Sequence, residues 1–217
     1  MEQIVKKEFE DLFNRYPQLE DCREDIKNAY ELLQKTYENS KKLLIAGNGG
    51  SAADSEHIAG ELMKRFKVSR PVSRELAEKL IAIDPERGKR LSENLEVPLR
   101  AVPLTSHIAI TTAYMNDADA SGVFAQQLLG FGDAGDVFLA ISTSGNSENI
   151  ISACVVAKAL GIKIIGLTGQ KESKLSKCAD ICICVPETET YKIQELHLPV
   201  YHCLCLMLES YFFGVIE

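Results

Sequence analysis

Residues 192–202 read KIQELHLPVYH and set Gln194, Glu195, His197 and His202 in an otherwise apolar segment. Such side chains carry protons or hold a metal ion. A second pair, His57 and Glu61, stands four residues apart in SAADSEHIAGEL, a spacing that puts both on one helix face and suits either a metal pair or a polar contact. His197 follows Gln194 by three residues and lies on a different sector from His202, which marks it as a structural or interface histidine. His107, alone in LTSHIAI, reads as a satisfied core group.

Two loops could present a ligand to those residues. The first, GNGGS from Gly47, lets backbone approach a ligand closely, and Ser51 opens a helix whose free N–H groups favour an anion or a polar sugar. The second, ISTSGNSENI over residues 141–150, offers the hydroxyls of Ser142, Thr143, Ser144 and Ser147 at a helix start. Phosphate is its natural guest, with no lysine required; an N-cap beside a polar turn is the plainer alternative. GNGGSA lacks the GxGxxG spacing and no GK[ST] follows, which disfavours nucleotide binding.

The elements that must position these loops can be read from periodicity. The first 40 residues carry helical patterns in EFEDLFNRY and DCREDIKNAYELLQKTYENS. The short apolar runs KKLLIAG, RAVPL, DVFLAIS, KIIGLTG and ICICV then recur with helical segments between most of them. That alternation describes an α/β fold, a parallel sheet covered by helices on both faces, with ligands beyond the carboxyl ends of its strands. With 217 residues, 46% of them hydrophobic, the chain suits one domain rather than two.

A net charge of −7 with interspersed signs gives no reason for nucleic-acid or anionic-membrane binding. The N-terminus lacks an apolar signal core, and the seven cysteines read as reduced thiols of a cytoplasmic protein rather than a zinc-ribbon set. The apolar stretch from Leu196 to Ile216 is interrupted by Pro199, His202, Glu209 and Ser210, so a buried helix is expected there and not a membrane span.

The motifs GNGGSAADSEH, MND, AISTSGNS and IQELH with a second histidine resemble, over nearly the whole chain, the sugar isomerase (SIS) family, and within it the phosphoheptose isomerases. The resemblance implies a single SIS domain over 1–217: a flavodoxin-like three-layer sandwich with a five-stranded parallel sheet, in a homotetramer with active sites near subunit contacts. It implies one zinc ion per subunit on His57, Glu61, Gln194 and His202, with Glu61 also the base and His202 the acid. Asn48, Gly49, Gly50 and Ser51, with Glu61, Asn116, Asp117 and Gln194, would contact the sugar, and Ser142, Thr143, Ser144 and Ser147 the phosphate. The implied reaction is aldose–ketose isomerisation of sedoheptulose 7-phosphate to D-glycero-D-manno-heptose 7-phosphate through an enediol, with no redox cofactor. The alternative is a non-catalytic SIS protein that binds a phosphosugar or a partner protein; relatives of the replication-initiator-associating type share GNG-S, STxGNS and IQE-H but lack counterparts of Glu61 and His202. A phosphosugar-sensing regulator would need a DNA-binding segment, and nothing here resembles one.

Three features depart from the family pattern. Residues of about 73–97 form an extra segment that reads as two short helices around Asp84-Pro85 and Gly88, either covering the site, lengthening a subunit contact, or standing solvated. Pro199 removes a helical N–H, so the C-terminal helix is expected to kink or restart. Tyr191 stands where some relatives have a sugar-contacting aspartate.

Overall fold

All five apolar runs become strands of one parallel sheet: β1 (Leu43–Ala46), β2 (Ala101–Pro103), β3 (Val137–Ile141), β4 (Lys163–Gly169) and β5 (Ile181–Val185), in the order β2-β1-β3-β4-β5. This computed structural model describes residues 2–214. β1 and β3 are central and buried throughout, which is why both read as unbroken apolar runs. They pair in register from Leu43↔Val137 to Ala46↔Ala140. The chain leaves β1 for β2 on one side and returns to β3 on the other. The strand order therefore reverses between β1 and β3, and a crevice opens at their carboxyl ends.

Alternate residues of each strand feed two cores. Leu43, Ile45, Val137 and Leu139 face a layer of four helices, α1 (Gln3–Arg15), α2 (Arg23–Glu38), α3 (Gly50–Met63) and α10 (Thr190–Phe213), and pack with Phe9, Ile26, Ile58 and Leu204. Leu44, Ala46, Phe138 and Ala140 face the opposite layer, where Phe124, Leu128, Ile150 and Ala153 lie on α7 (Val123–Phe131) and α8 (Glu148–Ala159). α9 (Lys174–Cys178) joins this second layer through Leu175 and leads into β5. The three-layer arrangement is the one expected.

The extra segment is a helical hairpin. Ser73 caps α4 (Arg74–Ile83) by accepting from the Leu76 N–H, and Asp84 caps α5 (Pro85–Asn94) by accepting from the Arg87 N–H, with Pro85 in the first turn. Gly88 lies where a Cβ would stand 2.1 Å from the Leu80 carbonyl, so the two helices approach closely. Leu76, Ile81, Ile83 and Leu91 stay exposed.

Two expectations need correction. α10 runs unbroken through Pro199, so of the kink or restart expected there the restart does not occur. α3 begins at Gly50, after Gly49 with φ 58°, and Ser51 is buried in its first turn rather than opening it. The described part of the Leu196–Ile216 stretch is buried helix, residues after 214 lie outside the description, and no described helix is long and apolar enough to cross a membrane.

Candidate active site

A cavity of about 300 Å³ opens where β1 and β3 end. Asn48, Gly49, Gly50 and Ser51 wall it from the β1 side, Ser142, Thr143 and Ser147 from the β3 side, and Gln194 closes it from α10. Two residues not foreseen, Ile141 and Thr190, complete the lining. The two loops are tied across the mouth by Asn48 and Asn149, whose side-chain amides exchange hydrogen bonds of 2.9 Å in both directions. Neither asparagine pairing has a sequence signal, because the partners lie 101 residues apart.

The hydroxyl loop is shaped by Gly145. Its φ is +63°, and a Cβ there would meet the Ser173 hydroxyl at 2.1 Å, so the turn that lifts Ser142 and Thr143 beside α8 needs glycine. Ser147 precedes α8 without capping it by its side chain; its Oγ lies 3.0 Å from Ser142 Oγ instead. The free N–H groups of the first turn of α8 and these hydroxyls make a neutral anion cradle. Ser144 faces away, into a smaller neighbouring cavity with Asn146, Gln170 and Lys171. Gly50 gives Gln194 its place, since a Cβ on Gly50 would stand 2.5 Å from the Gln194 amide nitrogen.

Further along α3, His57 is the meeting point. Its Nε2 is 3.3 Å from Glu61 Oε1 and 3.4 Å from His202 Nε2, and the His57 and His202 rings meet edge to face at 4.9 Å. Burial and the neighbouring His57 lower the His202 pKa from its ordinary value, so its imidazole favours the neutral form. Burial raises the Asp54 carboxyl, opposed by a hydrogen bond from Tyr201. His57 lies about 10 Å along the helix axis from Gly50, at 1.5 Å rise per residue. The phosphate-type cradle and the His57 cluster are thus two ends of one face of α3.

The remaining sequence-derived residues sit elsewhere. Asn116 and Asp117 end α6 (Ile108–Asp117), exposed and hydrogen-bonded to each other at 2.8 Å. His107 is not a core residue: it is half-buried before α6, bonded to Gln127 at 2.9 Å and stacked on Phe131. His197 is fully buried with no hydrogen-bond partner on either ring nitrogen, and burial lowers its pKa to about 4. Tyr191 is exposed and borders a separate groove with Lys192 and Glu195.

Sequence profiles of the SIS domain match residues 9–96 and 101–209. The chain belongs to the SIS domain family. Its relatives within that family include phosphoheptose isomerases of Sulfurimonas denitrificans, 36% identical over 88% of this chain and 95% of the relative, and of Akkermansia muciniphila, 32% identical over 99% and 100%. Solved structures of phosphoheptose isomerases from Francisella tularensis and Neisseria gonorrhoeae superpose with TM-scores of 0.74 and 0.72 at 30% and 31% identity, covering 95% of this chain and 96% and 97% of theirs.

In this SIS domain the donors of His57, Glu61 and His202 can be tested against a zinc ion. Two donors on a tetrahedral zinc at about 2.0–2.1 Å lie about 3.3–3.4 Å apart, and the His57–Glu61 and His57–His202 separations match that value. The fit is pairwise: among the described residues no three His, Cys, Asp or Glu side chains form a finished metal cage. Gln194 lies two helical turns from His202, beside Gly50.

Sequence reading missed the residues that support this cluster. Tyr201 hydrogen-bonds His57 and Asp54, while Glu209 and Arg70 anchor the chain just after Glu61. Asp54 precedes His57 by three residues on the same helix and Tyr201 adjoins His202, so spacing could have flagged both.

Proposed function

We propose that this chain is a phosphoheptose isomerase that interconverts sedoheptulose 7-phosphate and D-glycero-D-manno-heptose 7-phosphate. The observation that carries the reading is the approach of Glu61 and His202 to the same His57 ring, on the helix face that starts at the anion cradle. The names of the relatives support the same chemistry.

The phosphate rests on Ser142, Thr143 and Ser147 and on the N-terminus of α8, where neutral donors bind a dianion without a lysine, and Ser144, expected as a fourth donor, faces the neighbouring cavity instead. Asn48, Gly49, Gly50, Ser51 and Gln194 orient the open-chain sugar, with Asn116 and Asp117 as further hydroxyl partners. Glu61 takes the proton from the carbon beside the carbonyl and returns it to the neighbouring carbon. His202, held toward its neutral form, moves protons on the two oxygens through the enediol. His57, Glu61 and His202 would hold one zinc ion per subunit, with Gln194 joining them only by leaving its place beside Gly50, and the ion would stabilise negative charge on those oxygens.

The subunits form a homotetramer in the cytoplasm in this reading. α6 has no buried residue and exposes Ile108, Ile110 and Met115, a surface suited to burial against another copy. That contact would also bring Asn116 and Asp117, which stand apart from the cavity within one chain, near a neighbour.

The deciding experiment incubates purified protein with sedoheptulose 7-phosphate, with added zinc and after chelation, and follows the aldose by NMR. Conversion that is lost on chelation and restored by zinc is the expected result. Sugar-phosphate binding without conversion under any condition would point to a non-catalytic SIS protein instead.

A further inference from the structure

A short hydrogen-bonded chain reaches His57 from behind. The Tyr201 hydroxyl is 3.2 Å from Asp54 Oδ1, and its oxygen is 3.0 Å from His57 Nδ1. Tyr201 is only 2% exposed and meets the His57 ring edge-on, with centroids 5.5 Å apart. The other Asp54 oxygen, Oδ2, is buried without a hydrogen-bond partner. Within these contacts the carboxylate therefore has one donor, the Tyr201 hydroxyl.

The direction of each bond follows from donor and acceptor capacity. A carboxylate only accepts, so the single O–H of Tyr201 is committed to Asp54. The Tyr201 oxygen is then left to accept, and the only proton His57 can give it is on Nδ1. A neutral imidazole carries one N–H, and the bond made by one nitrogen decides the state of the other. Nε2 is left with its lone pair, and Nε2 is the atom that faces Glu61 Oε1 and His202 Nε2. The opposite tautomer has its own attraction, because an N–H on Nε2 would point at the Glu61 carboxylate at 3.3 Å. Asp54 and Tyr201 oppose that alternative.

We propose that Asp54 and Tyr201 are positioning residues that hold His57 in the Nδ1–H tautomer and so present its Nε2 lone pair to the site shared with Glu61 and His202. The proposal rests on the isomerase reading above for what that lone pair serves, and its test reads the ring directly. A tyrosine kept buried for packing alone would leave the tautomer of His57 indifferent to its hydroxyl.

The test uses the full chain with 15N-labelled histidine at about pH 8, where an ordinary imidazole is neutral. Long-range 1H–15N spectra distinguish the two tautomers, and loss of signals in His57→Gln assigns His57 among the 4 histidines. The metal-free wild type should show His57 protonated on Nδ1, and added zinc should leave that proton in place. Tyr201→Phe keeps the ring and its packing but should release the tautomer toward Nε2–H and weaken zinc binding, read by competition with a chromophoric chelator, by about 10–100-fold. Asp54→Asn should reverse the chain, since its amide can donate to the Tyr201 oxygen and turn the hydroxyl toward His57. A wild-type ring protonated on Nε2, or a tautomer unchanged in both variants, overturns the proposal even in an active isomerase. Failure to convert sedoheptulose 7-phosphate with the tautomers as stated overturns the isomerase reading alone.

Discussion

Glu209 and Arg70 form an ion pair inside the protein, with Glu209 Oε1 2.8 Å from Arg70 Nη2 and side chains 1% and 0% exposed. The pair is closed on all sides. Glu209 also accepts the backbone N–H groups of Phe66, Lys67 and Val68 at 2.7, 2.7 and 3.0 Å. Arg70 donates to the carbonyls of Leu62 and Glu61 at 2.7 and 3.3 Å, and its guanidinium lies 4.7 Å from the Phe213 ring centre. α3, which carries Glu61, is thereby fastened to α10, which carries His202.

Glu209→Ala removes the anion, strands three N–H groups and leaves a buried guanidinium uncompensated. The expected loss is about 3–5 kcal/mol of stability in urea unfolding, because breaking one partner of a buried pair costs far more than an exposed pair contributes. Glu209→Gln keeps an acceptor and should lose less. A loss below about 1 kcal/mol, the scale of a surface pair, would mean that the network does not hold the loop.

Glu61→Gln keeps size and an oxygen but removes the carboxylate proposed as the base. Turnover should fall by about 10²–10⁴-fold, while sugar-phosphate affinity stays close to that of the parent because the hydroxyl loop is untouched. Exchange of the carbon-bound hydrogen of the substrate in heavy water isolates the step. Unchanged exchange would remove Glu61 from the role of base.

Gly50→Ala displaces only the flexible end of Gln194, whose amide would lie 2.5 Å from the new Cβ. Stability should hold or rise slightly, as alanine is the better helix former. Losing a hydrogen bond from that amide to a charged or polar ligand weakens binding by roughly tenfold. Calorimetry with sugar phosphate, paired with a melting curve, tests both halves; equal affinity with equal stability would place Gln194 outside the site.

His197 makes stability depend on pH. Its folded pKa is lowered to about 4 from 6.5, so on acidification the unfolded chain takes up the proton first. Stability is fully present above about pH 6.5 and declines as pH falls toward 4. The difference in proton affinity between the two states amounts to about 3 kcal/mol. Urea midpoints at several pH values in this window should fall for the parent, and part of that slope should vanish in His197→Asn. Parallel slopes in the two proteins would show that His197 does not titrate during unfolding.

Local chemistry was readable where neighbours in sequence make the structure. The caps at Ser73 and Asp84 announce α4 and α5, and the unbroken apolar runs LLIA and VFLAI announce buried central strands, because capping and burial leave a mark within a few residues. The cavity walls were readable too, since Gly49, Gly50 and the hydroxyls of Ser142, Thr143 and Ser147 adjoin the strands that aim them. Pro199 misled in part for the same reason, since the restart it suggested does not occur. Its local cost is real, but the packing of α10 against the sheet and α1 outweighs one lost N–H.

By itself the sequence determined the five strands and the helices that flank them, the two ligand loops at β1 and β3, and the pairing of His57 with Glu61 on one helix face. Periodicity, turn chemistry and helical spacing are local properties and need no knowledge of what packs where. Only the tertiary structure decided that His202 reaches the same His57 nitrogen from α10, 145 residues away, and that Ser144 turns from the cavity its neighbours line. It alone closed Asp54–Tyr201–His57 and Arg70–Glu209 into networks. Such contacts depend on how α3 and α10 cross over the shared core, and that geometry is set by the packing of many side chains at once; spacing can put Asp54 beside His57 or Tyr201 beside His202, but it cannot bring the two pairs together.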